Sequence, residues 1–197
     1  MSIVDALPVQ HLNVKIFARE PLIIDLGEAI PIFHSWIQRN ALEGMLIDVA
    51  DYRHVPAGPG VMLIGHDANY SLDNRADRLG LLYNRKTPLE GSTREKLLQA
   101  FQAAAAACER LQVDFQRKVR FNGGDCEVFI NDRLIAPNTD ETWARLQPEL
   151  THFCDGLYGA GNYSLEKTGE PRELFRVTLK TPQPVEVKGL LRDRQAP

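Results

Sequence analysis

Apolar and polar residues alternate in part through Leu12, Asn13, Val14, Lys15, Ile16 and Phe17, which predicts a strand over residues 12–18. The period then lengthens. Ala29, Ile32, Phe33, Trp36 and Ile37 fall at three- and four-residue spacings, predicting a helix over residues 25–40. Pro31 lies early in that segment, where a missing amide costs least, and Gly44 follows as a stop. Two short apolar runs, residues 45–49 and 61–64, suit buried strands. Between them Val55-Pro56-Ala57-Gly58-Pro59-Gly60 can continue neither a helix nor a ladder and reads as a loop.

Residues 78–86 give another strand through Leu79, Leu81, Leu82 and Tyr83. The clearest helix runs over residues 92–113, with Ser92 and Glu95 spaced as a capping box. Leu97, Leu98, Phe101, Ala104, Ala105, Cys108 and Leu111 form its apolar stripe. Residues 118–121 and 127–130 flank Asn122-Gly123-Gly124-Asp125, a composition that predicts a hairpin turn. Asn138-Thr139-Asp140-Glu141 then caps a helix carrying Trp143, Leu146, Leu150 and Phe153, ending near Gly156. Residues 163–165 and 174–181 read as the last strands, and residues 188–197 as a charged, flexible tail.

Hairpin signals outnumber strand–helix–strand units. The expected class is therefore α+β, a mixed but largely antiparallel sheet with two to three helices mainly on one face, in one domain over residues 1–187. An internal echo qualifies that expectation. Asn69-Tyr70-Ser71-Leu72 recurs as Asn162-Tyr163-Ser164-Leu165, and Lys86-Thr87-Pro88 as Lys180-Thr181-Pro182. With Trp36 and Trp143 on corresponding helices, this suggests pseudo-repeats over residues 12–88 and 117–182, joined by the helix of residues 92–113.

Composition narrows the function classes only broadly. A net charge of -3 argues against a nucleic-acid footprint. The N-terminal residues lack the basic and apolar regions of an export signal, and no run approaches the length of a membrane helix. Cys108, Cys126 and Cys154, odd in number and far apart, read as free thiols in the cytoplasm.

Polar groups concentrate around the glycines of residues 48–74. Asp51, His54, His66, Asp67, Tyr70 and Asn74 are the candidate ligand-binding residues, because loops after strand ends are where α/β proteins hold binding groups. His54, His66 and Asp67 are the residues that would ligate a divalent metal or act as acid and base, although none has a metal-motif spacing. Arg75, Arg78, Arg85, Lys86, Arg94 and Lys96 interleave with acids and read as a solvated mixed-charge face. Phosphate-loop, dinucleotide, nucleophile-elbow, zinc-protease and paired-cysteine motifs are all missing, so no cofactor is named. The expectation is a non-catalytic ligand-binding or assembly protein that self-associates, with a small-molecule ligand and a second copy of itself as partners. The alternative is a small metal-assisted hydrolase using the His54/His66 loops.

Overall fold

The computed structural model describes residues 7–20 and 24–191. Strand β1 (Leu12–Ala18) leads to helix α1 (Ala29–Arg39), preceded by a 3-10 turn whose Gly27 amide donates to the Asp25 side chain. Helix α1 stops where Asn40 turns left-handed at φ 48°. A meander follows: β2 (Leu46–Asp51), β3 (Val61–Gly65), β4 (Ala68–Asp73) and β5 (Gly80–Arg85). Helix α2 (Thr93–Asp114) begins with the anticipated capping box, Ser92 and Glu95 each satisfying the other's backbone. Then come β6 (Phe121–Ile130), α3 (Asp140–Tyr158), β7 (Ser164–Thr168) and β8 (Phe175–Lys180).

Among the described residues, eight strands join one sheet in the order β2-β3-β4-β5-β1-β6-β8-β7, and every pairing is antiparallel. With three helices packed on it, the architecture is the α+β class expected from the hairpin signals. One face of each strand supplies the core: Val14 and Ile16, Leu81 and Tyr83, Tyr70 and Leu72, Val128 and Val177 are buried in a single cluster with Phe33, Trp36, Leu97, Phe101 and Phe153. Phe101 meets Phe153 at a ring separation of 5.0 Å, joining α2 to α3. The Trp36 indole donates to Asp114 at 2.6 Å, tying α1 to the end of α2. No helix among the described residues is long and apolar enough to cross a membrane.

The expected Asn-Gly-Gly-Asp hairpin is instead the middle of one continuous strand. Neither Gly123 nor Gly124 takes the positive φ that a tight hairpin turn needs. The glycines serve close approach. A Cβ on Gly124 would sit 1.8 Å from the Thr181 Oγ1, and one on Gly123 would sit 3.0 Å from a Leu190 methyl. The segment after β8 lies across β6 there, with Thr181 donating to the Gly124 carbonyl and Gly123 to the Val185 carbonyl, both at 2.8 Å. A 3-10 turn at Val187–Leu191 follows, with Val187 and Leu190 buried against the core. The rest of the expected tail, 192–197, lies outside the described residues.

Read outward from the β1–β6 boundary, the sheet runs β1-β5-β4 on one side and β6-β8-β7 on the other. The echoed peptides do not follow that symmetry. Ser71 lies opposite Leu82, four residues before Lys86, whereas Ser164 lies opposite Lys180 itself. The two copies are thus four residues out of step, and a duplication is not shown.

All three cysteines are free and buried, and burial pushes each thiol upward, Cys154 to about 12. The native protein should therefore leave an aromatic disulfide reagent unreacted at neutral pH and consume three equivalents once unfolded in guanidinium. Fast labelling of any cysteine in the folded state would contradict this packing.

Candidate functional site

The six candidate residues do not share one place. Asp51 ends β2 and grips Arg53 through two hydrogen bonds of 2.9 and 2.8 Å, which hold its carboxyl down at about 2. His54 is exposed in the loop beyond. Because Asp51 pairs with Val61 while His66 follows Gly65, the two imidazoles sit at opposite ends of β3, separated by about 13 Å of strand. Asn74 follows β4 and is exposed at the His54 end of the sheet. Among the described residues no three His, Cys, Asp or Glu side chains converge as a metal site would require. A single centre using both imidazoles is not what this geometry offers.

His66, Asp67 and Tyr70 do come together, at a helix-side cleft of about 590 Å³ between the β2–β5 half of the sheet and α2. Tyr70 and Tyr83 form its floor with ring centroids 5.4 Å apart, and Gln99 of α2 accepts the Tyr83 hydroxyl at 3.1 Å. Burial pushes the Tyr70 phenol upward, so it stays a neutral donor. At the mouth, the His66 Nδ1 stands 3.2 Å from Asp67, whose carboxyl is held below its ordinary value by His66 first and the Thr87 hydroxyl second. Both side chains are well exposed. Among the described residues no serine or cysteine lines this cleft.

Charge gathers on the other face of the sheet, where none of the described α-helices packs. Alternation puts Lys15 in register with Leu82 and Glu127, and Phe129 with Arg176. Phe17, Leu82 and Phe129 are buried, yet they stand apart from the core cluster. The Lys15 ammonium crosses β5 to reach Asp73 of β4 at 2.5 Å, with only 6 % and 2 % of the two side chains exposed. Gly80 opens the way: a Cβ there would lie 2.8 Å from the Lys15 Cε. Burial pulls the Lys15 ammonium below its ordinary value, against the attraction of Asp73.

These residues line a cavity of about 70 Å³ together with Arg75, Ala76 and Arg78. The Arg78 guanidinium lies 3.6 Å above the Phe17 ring centroid and bonds Asp125 at 2.8 Å. Arg176 lies over Phe129 at 5.6 Å and reaches Glu127 only at 3.6 Å. Several polar atoms here are buried and unmatched: the Asp73 Oδ2, the Asp125 Oδ1 and the Arg176 Nε. Such groups are costly unless something completes their hydrogen bonds. Above the cavity Ala76 and Asp77 are both left-handed, at φ 57° and 55°, a conformation that costs non-glycine residues of the order of 1–3 kcal/mol each. That turn holds Arg75 over the opening. Its guanidinium makes no bond among the described residues, while Asp73 accepts the Arg75 amide at 3.1 Å.

The chain matches no family model, no curated protein and no solved structure. The site must be read from its own chemistry.

The buried pair gives a direct test. Lys15→Met leaves an uncompensated carboxylate and Asp73→Asn leaves an uncompensated ammonium, so each should cost about 3–5 kcal/mol in denaturant unfolding. The Lys15→Met/Asp73→Asn double variant should lose much less than the two single losses added. Single losses within about 0.5 kcal/mol, the range of ordinary surface changes, would mean the pair is not desolvated in solution.

Proposed function

We propose that the protein is a non-catalytic ligand-binding protein whose site is the charged cavity on the uncovered face of the sheet. The supporting observation is the Asp73 carboxylate, which lines the cavity at 2 % exposure with one oxygen held by Lys15 and the other buried without a partner. Fixed charges of both signs, set across β4, β1, β6 and β8 and braced by Phe17 and Phe129, are pre-organised for recognition. Among the described residues that line the cavity there is no serine, threonine, cysteine or histidine, and the three thiols lie buried in the core on the other side. Those free thiols support the cytoplasm as its compartment.

Ligand binding should show as stabilisation. In a panel of small charged compounds, a ligand at about a hundred times its Kd adds about 2.7 kcal/mol and raises the melting midpoint by roughly 5–10 °C for a domain of this size. Arg176→Met should abolish that rise. A panel with no stabilising compound, or a rise that survives Arg176→Met, would sink this reading.

Self-association is the second part of the proposal, and β2 supports it. This edge strand exposes Ile47 by 53 % and the preceding Met45 by 66 %, an apolar rim beside unpaired backbone groups. A second copy pairing β2 to β2 about a two-fold axis would cover both. Sedimentation should then find a dimer that Ile47→Lys converts to monomer. A clean monomer at high micromolar concentration would remove this part.

A further inference from the structure

Within the cavity, unmatched acceptors and unmatched donors stand side by side. Asp73 offers the bare Oδ2, and Glu127 is held only loosely, by Arg176 at 3.6 Å. Opposite them the Arg176 Nε has nothing to donate to, and the Arg75 guanidinium is open. A simple anion would complete the arginines but meet two carboxylates. A simple cation would complete Asp73 but meet Lys15 and three guanidinium groups. A ligand carrying one ammonium beside one carboxylate satisfies both sets.

Charge balance and size narrow the class further. Lys15, Arg75, Arg78 and Arg176 face Asp73, Glu127 and Asp125, which leaves one positive charge over. A cavity of about 70 Å³ holds about two waters at roughly 30 Å³ each, which restricts a ligand to a compact charged head group such as that of an α-amino acid. Arg75 sits at the open side, where a ligand's side chain would emerge.

We infer that the cavity takes an acidic α-amino acid, its ammonium on Asp73 and Glu127, its α-carboxylate on Arg176 and its side-chain carboxylate on Arg75. This rests on the ligand-binding reading and adds the chemical class to it.

Calorimetric titration of the full chain with L-aspartate, succinate and glycine separates the parts. Succinate lacks the ammonium and glycine lacks the second carboxylate. L-aspartate should bind at least tenfold more tightly than either. Arg75→Gln, a change at an exposed side chain that spares the fold, should erase the advantage over glycine. Glu127→Gln should narrow the advantage over succinate. Succinate binding as tightly as L-aspartate would overturn the zwitterion assignment, and glycine doing so would overturn the acidic one. If none of the three binds while another compound still gives Arg176-dependent stabilisation, the inference falls and the binding reading stands. If no compound stabilises the protein, both fall.

Discussion

A sheet with helices on one side only must finish its other side with side chains alone. Here that constraint governs the molecule. Val14, Ile16, Leu81 and Val177 hand one surface of the strands to α1, α2 and α3, and the hydrophobic term is spent there. The alternate positions, Asn13, Lys15, Ser71 and Asp73, are buried as well, although nothing of the fold's core covers them. Their polar atoms are therefore sealed mainly by neighbours on the same face. The unmatched ones concentrate there: besides the cavity atoms, Asn13 and Asn69 each keep a carbonyl oxygen without a donor. Buried polar groups are ordinarily paired, and the proposed ligand is what would supply the bonds this face leaves open.

The two concavities differ in the same terms. The helix-side cleft is floored by tyrosines and walled by glutamine, groups that are neutral and, for Tyr83, already bonded to Gln99. Its charged residues, Glu43, Asp67 and Arg85, are exposed or only half-buried, where an ion pair contributes little. In the uncovered-face cavity the charges are withdrawn from water, so each interaction with a ligand is stronger and each unmet group more expensive. Magnitude favours the second.

The strands and helices were largely legible because their periods are strong: the stripe of α2 and the Ser92–Glu95 cap needed no tertiary information. Asn122-Gly123-Gly124-Asp125 misled because glycine answers two needs, positive φ and close approach, and only the position of Thr181 and Val185 tells which applies. The site was less legible. Lys15 and Asp73 look like ordinary outward residues of an alternating strand, and their burial depends on Gly80, which lies 65 residues beyond Lys15 in the chain. Arg75 and Arg78 were visible as part of a basic stretch, but Lys96, read alongside them, turns inward to the Val9 carbonyl while Arg78 stacks on Phe17. A linear run of charge says nothing of which members share a surface. His66 and His54 were singled out by residue type, and strand direction then carried them apart.

The central pairing has a consequence for how the chain is made. β1 pairs with β5, so the first half of the polypeptide can close a five-stranded layer as it leaves the ribosome. Its other neighbour, β6, is more than a hundred positions away, with Leu12 opposite Ile130. Until that late strand arrives, β1 is an open rim with its backbone groups unpaired on that side, and contacts of such long sequence separation form slowly. The most vulnerable moment in this protein's life is thus before its own middle has been closed.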